Sequence, residues 1–138
     1  MLLADVGDGP ARTVRALDPA TGEVVWERDV DLGSTMNQMV LDGVLYGSGT
    51  SSAWAVDAVT GETRWSTHAG ASDAWQVQTD GRVLLRTEQA PGRGELVGYS
   101  LRDGDVAWRT ELPEGVGSLW QTHGLLLGQR GASVVTLR

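Results

Sequence analysis

Ala16-Leu17-Asp18-Pro19-Ala20-Thr21-Gly22-Glu23-Val24-Val25-Trp26 returns farther along the chain as Ala55-Val56-Asp57-Ala58-Val59-Thr60-Gly61-Glu62-Thr63-Arg64-Trp65. Both copies read A-x-D-x-x-T-G-E-x-x-W. A worn third copy runs from Gly98 through Ser100, Asp103 and Gly104 to Trp108, with Ser in place of the Asp and Asp in place of the Thr. Trp26 and Trp65 stand 39 positions apart, Trp65 and Trp108 stand 43 apart. A period near forty with a fixed turn and a fixed aromatic is the mark of stacked repeats rather than of one closed core.

Working outward from the phrase, each repeat divides into four short runs. Met36–Leu41, Trp75–Thr79 and Leu119–Thr122 are predicted as first strands, each ending in a tight pair: Asp42-Gly43, Asp80-Gly81 or His123-Gly124. Such pairs between hydrophobic runs signal two-residue hairpins, because glycine accepts the positive φ that the turn needs. Second strands follow at Val44–Ser48, Val83–Arg86 and Leu125–Gln129. Third strands are Val14–Asp18, Ala53–Asp57, Leu96–Ser100 and Val134–Leu137, and the fourth strands carry the tryptophans. The longer spacing of the third repeat falls in Thr87–Glu95, where Ala90-Pro91-Gly92-Arg93-Gly94 reads as an exposed hairpin loop. No segment carries a helical period over a useful length.

The fold class is therefore all-β: propeller blades of four antiparallel strands, about three and a half of them, in an open, partial ring. The boundaries are an incomplete blade at 1–31, complete blades at 32–69 and 70–112, and an incomplete blade at 113–138.

Structural duty is the reading for every repeated residue. Trp26, Trp65 and Trp108 are the glue between sheets; burying an indole of roughly 200 Å² is worth on the order of 5 kcal/mol before entropy. Ala16, Ala55 and Gly98, ten positions before each tryptophan, are expected to leave room for a neighbouring indole. Asp18 and Asp57 are placed to accept backbone N–H bonds across the turn, beside Thr21 and Thr60, and Gly22, Gly61 and Gly104 supply the left-handed conformation.

This phrase resembles the tryptophan-docking motif of the pyrroloquinoline-quinone-type propeller repeat. That repeat recurs in quinoprotein alcohol dehydrogenases, in a bacterial outer-membrane assembly lipoprotein and in sensor-like modules of bacterial kinases. The resemblance implies the fold, and a compartment that in such proteins is often periplasmic or extracellular. Under a dehydrogenase reading it also implies pyrroloquinoline quinone held with Ca²⁺, in an enzyme whose catalytic residues lie in blades outside this chain. The vicinal cysteines of several quinone dehydrogenases are impossible here, since cysteine is absent.

Composition narrows the field further. The net charge of −7 and the scattering of eleven arginines among eighteen acids argue against nucleic acid and anionic membrane surfaces. No run approaches the roughly 18 apolar residues of a membrane span, and the first residues lack the basic head and apolar stretch of a secretory signal. Without cysteine there are no disulfides or thiolate sites. Lysine, isoleucine and phenylalanine are missing and asparagine occurs once, the residue usage of a GC-rich bacterial genome.

A search for chemistry returns no catalytic constellation. Trp75 and Trp120, with Asn37, Gln38, Gln76, Gln78 and Gln121, make the first strands polar enough for a wet channel. His68 and His123 are single and lack zinc spacing. Ser48, Ser51 and Ser52 lack a nucleophile elbow, and Gly47-Ser48-Gly49 and Gly92-Arg93-Gly94 open no helix. Asp29 with Asp31 and Asp103 with Asp105 read as exposed loop acids.

The expectation is a non-catalytic binding or scaffold module with no cofactor, meeting a protein partner or the remaining blades of a larger propeller. Alternatives are a piece of a quinone-dependent alcohol or sugar dehydrogenase and a ligand-sensing propeller domain. Open sheet edges predict self-association.

Overall fold

A computed structural model describes residues 2–6, 11–31, 38–72, 77–122 and 125–137. These form fourteen strands and no helix. Sheet I contains β1 (Leu2–Val6), β2 (Ala11–Leu17) and β3 (Val24–Asp31). Sheet II contains β4 (Gln38–Leu41), β5 (Val44–Ser48), β6 (Ser52–Asp57) and β7 (Thr63–His68). Sheet III contains β8 (Gln78–Thr79), β9 (Val83–Ala90), β10 (Arg93–Ser100) and β11 (Val106–Glu111). Sheet IV contains β12 (Val116–Thr122), β13 (Leu125–Arg130) and β14 (Ser133–Leu137). Each sheet is an antiparallel meander in chain order, so the molecule is an unclosed run of propeller blades.

Three local expectations need correction. Asp42-Gly43 makes the two-residue hairpin, with φ of 48° and 75° and Leu41 opposite Val44. Asp80-Gly81 does not, because Thr79 pairs with Leu84. The Asp80 carboxylate accepts the N–H groups of Arg82 and Val83 at 2.8 and 3.0 Å, which holds the turn open to four residues. Thr87–Glu95 is not a loop: β9 and β10 stay paired out to Ala90 and Arg93. Pro91-Gly92 closes that hairpin, proline fixing φ near −65° and Gly92 taking +77°. His123-Gly124 and the starts of two first strands (Met36, Asn37, Trp75, Gln76) lie outside the described residues.

The third correction concerns the small residues. Ala16, Ala55 and Gly98 stand directly opposite Trp26, Trp65 and Trp108 of their own sheets, with a bulge beside each pair. The extra residue (Val25, Arg64, Ala107) increases the local twist and re-aims the indole over its small partner. At Gly98 a Cβ would lie 2.6 Å from the Trp108 ring. The room these residues make is for the indole of their own sheet.

The contact between sheets falls instead on the glycine of the next turn. Trp26 lies over Gly61, where a Cβ would come within 2.7 Å of the ring, and its Nε1–H donates to the Ala58 carbonyl at 3.0 Å. Trp65 repeats this over Gly104, at 2.5 Å, and donates to the Leu101 carbonyl at 2.9 Å. Around the first seat pack Val14, Ala16, Leu45, Trp54 and Val56. Around the second pack Val44, Tyr46, Ala53, Ala55, Leu84, Val97 and Tyr99.

A buried polar lock joins sheets II and III beside this core. Arg86 and Glu88, two apart on β9, share a face and are almost fully buried. Arg86 Nη1 donates to the carbonyls of Gly49 and Ser52, each at 2.9 Å, and to Ser48 Oγ; Nη2 donates to the Gly70 carbonyl at 2.8 Å. Its Nε meets Glu88 Oε1 at 3.3 Å, and the Tyr99 hydroxyl donates to the same oxygen. The space for Arg86 comes from a size exchange. In sheet II Gly47 faces Trp54, and in sheet III the same pair is Arg86 facing Val97.

Gly61→Ala and Gly43→Ala share a φ of +75°, but only the first meets a ring. Gly43→Ala is expected to cost about 1–2 kcal/mol of backbone strain. Gly61→Ala should cost about 1–3 kcal/mol more, read from urea unfolding midpoints. Arg86→Met leaves the buried Glu88 with only the half-exposed Arg109, at 3.5 Å, as a cation, and is expected to cost about 3–5 kcal/mol, with part of that recovered in Arg86→Met/Glu88→Met. Burial, then the bond to Glu88, pushes the Tyr99 hydroxyl up to about 12, and burial also raises Tyr46. A raised phenol pKa stabilises the fold fully below the unfolded value of 10.0 and loses that contribution as pH climbs toward about 12. Tyrosinate absorbance in an alkaline titration should therefore rise together with loss of sheet signal, not before it.

Candidate functional site: an acidic rim

In a meander, the turn after the first strand and the turn after the third open on the same end of the sheet. The repeated phrase therefore lies on one rim, together with the Asp-Gly turns. The three copies use one backbone pattern. Asp18, Asp57 and Ser100 donate their N–H to Glu23, Glu62 and Asp105 carbonyls, and Gly22, Gly61 and Gly104 return to the carbonyls of Asp18, Asp57 and Ser100.

Side chains tie down each turn. Asp18 Oδ1 accepts the Ala20 N–H at 2.7 Å; Asp57 Oδ1 accepts those of Val59 and Thr60 at 2.9 and 3.0 Å. Thr21 and Thr60 Oγ1 accept the N–H of Glu23 and Glu62 at 3.2 and 3.3 Å. The worn copy keeps the function with exchanged chemistry. Ser100 Oγ accepts the Arg102 N–H at 3.3 Å, and Asp103 Oδ1 accepts that of Asp105 at 3.0 Å. Any short oxygen acceptor two residues before the N–H suffices, which is why Asp and Thr could be replaced without losing the turn.

The rim is acidic. It carries Asp18, Glu23, Asp42, Asp57, Glu62, Asp80, Asp103 and Asp105. Against them stand Arg28, which bonds the Gly61 carbonyl, Arg64, which bonds Asp57 at 2.8 Å, Arg82 and Arg102. The Arg64 guanidinium, with the Thr60 and Val59 N–H groups, holds the Asp57 carboxyl down to about 2. The Asp105 N–H lowers Asp103; at Asp80 partial burial pushes upward, but the Val83 and Arg82 N–H groups outweigh it. On the opposite rim, the tip residue Arg93 is paired with Glu111.

The remaining candidates scatter. Gln38 and Gln78 sit half-buried on inner strands, and among the described residues neither buried Oε1 has a hydrogen-bond donor; Gln78 Nε2 donates to the Leu119 carbonyl across sheets III and IV. Asn37, Trp75, Gln76 and His123 lie outside the described residues, as do the side chains of Trp120, Gln121 and Asp31. His68 is exposed at the end of β7. Ser48 is buried as an acceptor for Arg86, and the Ser51 carbonyl accepts the Ala69 N–H. Asp29 accepts the Thr13 hydroxyl at 2.7 Å on exposed strands. Among the described residues no three His, Asp or Glu side chains converge on a point that could hold a metal ion.

Sequence reasoning missed Arg86 and Glu88. One signal was available: in the repeat alignment Arg86 replaces a residue that is Gly47 in β5 and Gly128 in β13.

Residues 10–136 match the family model described as outer membrane protein assembly factor BamB. The chain is 31% identical over 122 residues to the quinoprotein alcohol dehydrogenase PedE of Pseudomonas putida, a match covering 82% of this chain and 18% of that protein. Its fold is similar to BamB from Moraxella catarrhalis, with TM-score 0.58 and 18% identity over 96% of this chain and 55% of that one. It is also similar to a europium-containing methanol dehydrogenase, with TM-score 0.62 and 14% identity over 78% and 24%. The chain thus spans about a fifth to about half the length of these relatives. With the docking phrase, the sheets and the match over nearly its whole length in agreement, the chain belongs to the pyrroloquinoline-quinone-like propeller family of the outer membrane assembly factor BamB.

Proposed function

We propose that the chain is a non-catalytic binding module that recognises a protein partner, with the acidic rim as its contact surface and no cofactor. The observation that carries this reading is the convergence of eight carboxylates on one rim, several fixed by backbone N–H groups before any partner arrives. Preformed acidic turns cost little ordering entropy on association and favour a basic partner by steering its approach. Membership in the BamB family supports a protein-facing role. A second reading, part of a quinone-dependent dehydrogenase, is favoured by the similarity to PedE, and its chemistry would come from blades outside this chain.

Cross-linking in the source cell separates the two. Wild type should capture a discrete partner, with capture falling at least about tenfold in Glu23→Gln/Glu62→Gln/Asp105→Asn and at raised salt. An opposite-rim change, Arg93→Gln, should leave it intact. Equal capture by the rim variant would contradict the surface. Dye reduction with an alcohol after addition of pyrroloquinoline quinone and calcium would contradict the non-catalytic reading.

A further inference from the structure

The seam between sheets I and II and the seam between sheets II and III are built alike and finished differently. At the first, Trp26 donates its Nε1–H to the Ala58 carbonyl. That bond carries Val25, beside the tryptophan, and Val59, beside the alanine, to one seam on the outer part of the rim. At the second, Trp65 donates to the Leu101 carbonyl, and the residues in the same repeat positions are Arg64 and Arg102. Val25 and Val59 are 57% and 65% exposed. Docking does not demand valine at either place, because Trp65 seats as deeply beside two arginines as Trp26 does beside two valines, at 8% and 9% exposure. Nor does the exposure depend on what adjoins sheet I. Sheet II has a sheet on either side, and Arg64 and Val59 are exposed on it all the same. The seam is also flanked by negative charge: Glu23 stands two residues before Val25 and Glu62 three after Val59, both exposed. Its nearest cation, Arg28, is tied to the Gly61 carbonyl.

We propose that Val25 and Val59 are the apolar centre of the partner-binding surface, and that they take a segment of a partner protein in which aliphatic side chains are set between arginines or lysines. The inference rests on the partner-binding reading and deepens it. Carboxylates alone attract any basic chain and steer its approach, whereas an apolar pair inside them selects the chain that can also bury aliphatic surface. Charge identifies the flanks of the occupant, since Glu23 and Glu62 meet cations on either side of the valines. A second copy of this chain is not the occupant, because at a net charge of −7 it is repelled by the same acids. The second seam turns such a segment away, presenting guanidinium groups where the first presents methyl groups. One rim built on a repeated turn is thereby read at one seam.

The test uses the full chain with methyl-labelled valine and two synthetic peptides of equal charge, one alternating arginine with leucine and the other arginine with serine. The Val25 and Val59 methyl resonances, assigned through Val25→Thr and Val59→Thr, should shift saturably with the leucine peptide while those of the buried Val14 and Val56 stay in place. The serine peptide should bind about tenfold more weakly. Val25→Thr/Val59→Thr, which keeps shape and charge, should bind the leucine peptide about tenfold more weakly with its urea unfolding midpoint unchanged. Equal binding of the two peptides, equal binding by the threonine variant, or valine resonances unmoved at about 1 mM peptide would overturn the proposal. The rim variant Glu23→Gln/Glu62→Gln/Asp105→Asn should weaken both peptides alike. Failure of the valine pair therefore shows as two peptides bound equally, and failure of the acidic rim as a charge variant that binds both as wild type does.

Discussion

An indole resting on a glycine that can carry no side chain is the contact on which the stack depends. It joins two requirements at one residue. Gly61 and Gly104 must take a φ near +75° to turn the chain, and must also present a bare backbone to the ring of the preceding sheet. The hydrogen bond from Nε1 to the carbonyl three residues before each glycine fixes the indole's direction as well as its depth. Successive sheets are therefore set in one orientation by one repeated device. The apolar clusters around each seat supply area, while the seat supplies register.

Polar burial does a different task at the second junction. Arg86 gathers carbonyls from the β5–β6 turn and from the connector at Gly70. Its charge is met by Glu88, which in turn takes the Tyr99 hydroxyl and lies 3.5 Å from Arg109. A network this fully satisfied specifies one arrangement of sheets II and III. The first junction reaches the same end with Trp54 over Gly47, so the two junctions solve one packing problem with opposite chemistry.

Much of the fold was legible because its determinants are local. The doubled phrase, the hairpin at Asp42-Gly43 and the alternating strands all act within a few residues, and the strand arithmetic follows from them. What escaped were effects of pairing partners distant in sequence. Asp80-Gly81 has the same two letters as Asp42-Gly43, but its carboxylate finds two N–H groups and opens the turn. Pro91-Gly92 reads as loop composition, although the long arms beside it keep the strands paired. Sequence spacing shows a small residue ten positions before each tryptophan without showing which sheet supplies the ring that fills the space. The candidate site was legible only as an acidic surface. Its concentration on one rim depends on meander topology, and the role of Arg86 depends on carbonyls up to 37 residues away.

Hydrogen exchange of the indole N–H groups, followed by NMR on the isolated chain, tests the seating account most directly. The account predicts that Trp26 and Trp65 exchange only on the timescale of opening of their sheet junctions, orders of magnitude slower than Trp108, which exchanges at a nearly solvent-limited rate. Three indoles exchanging alike, or Trp26 and Trp65 exchanging as fast as Trp108, would contradict it.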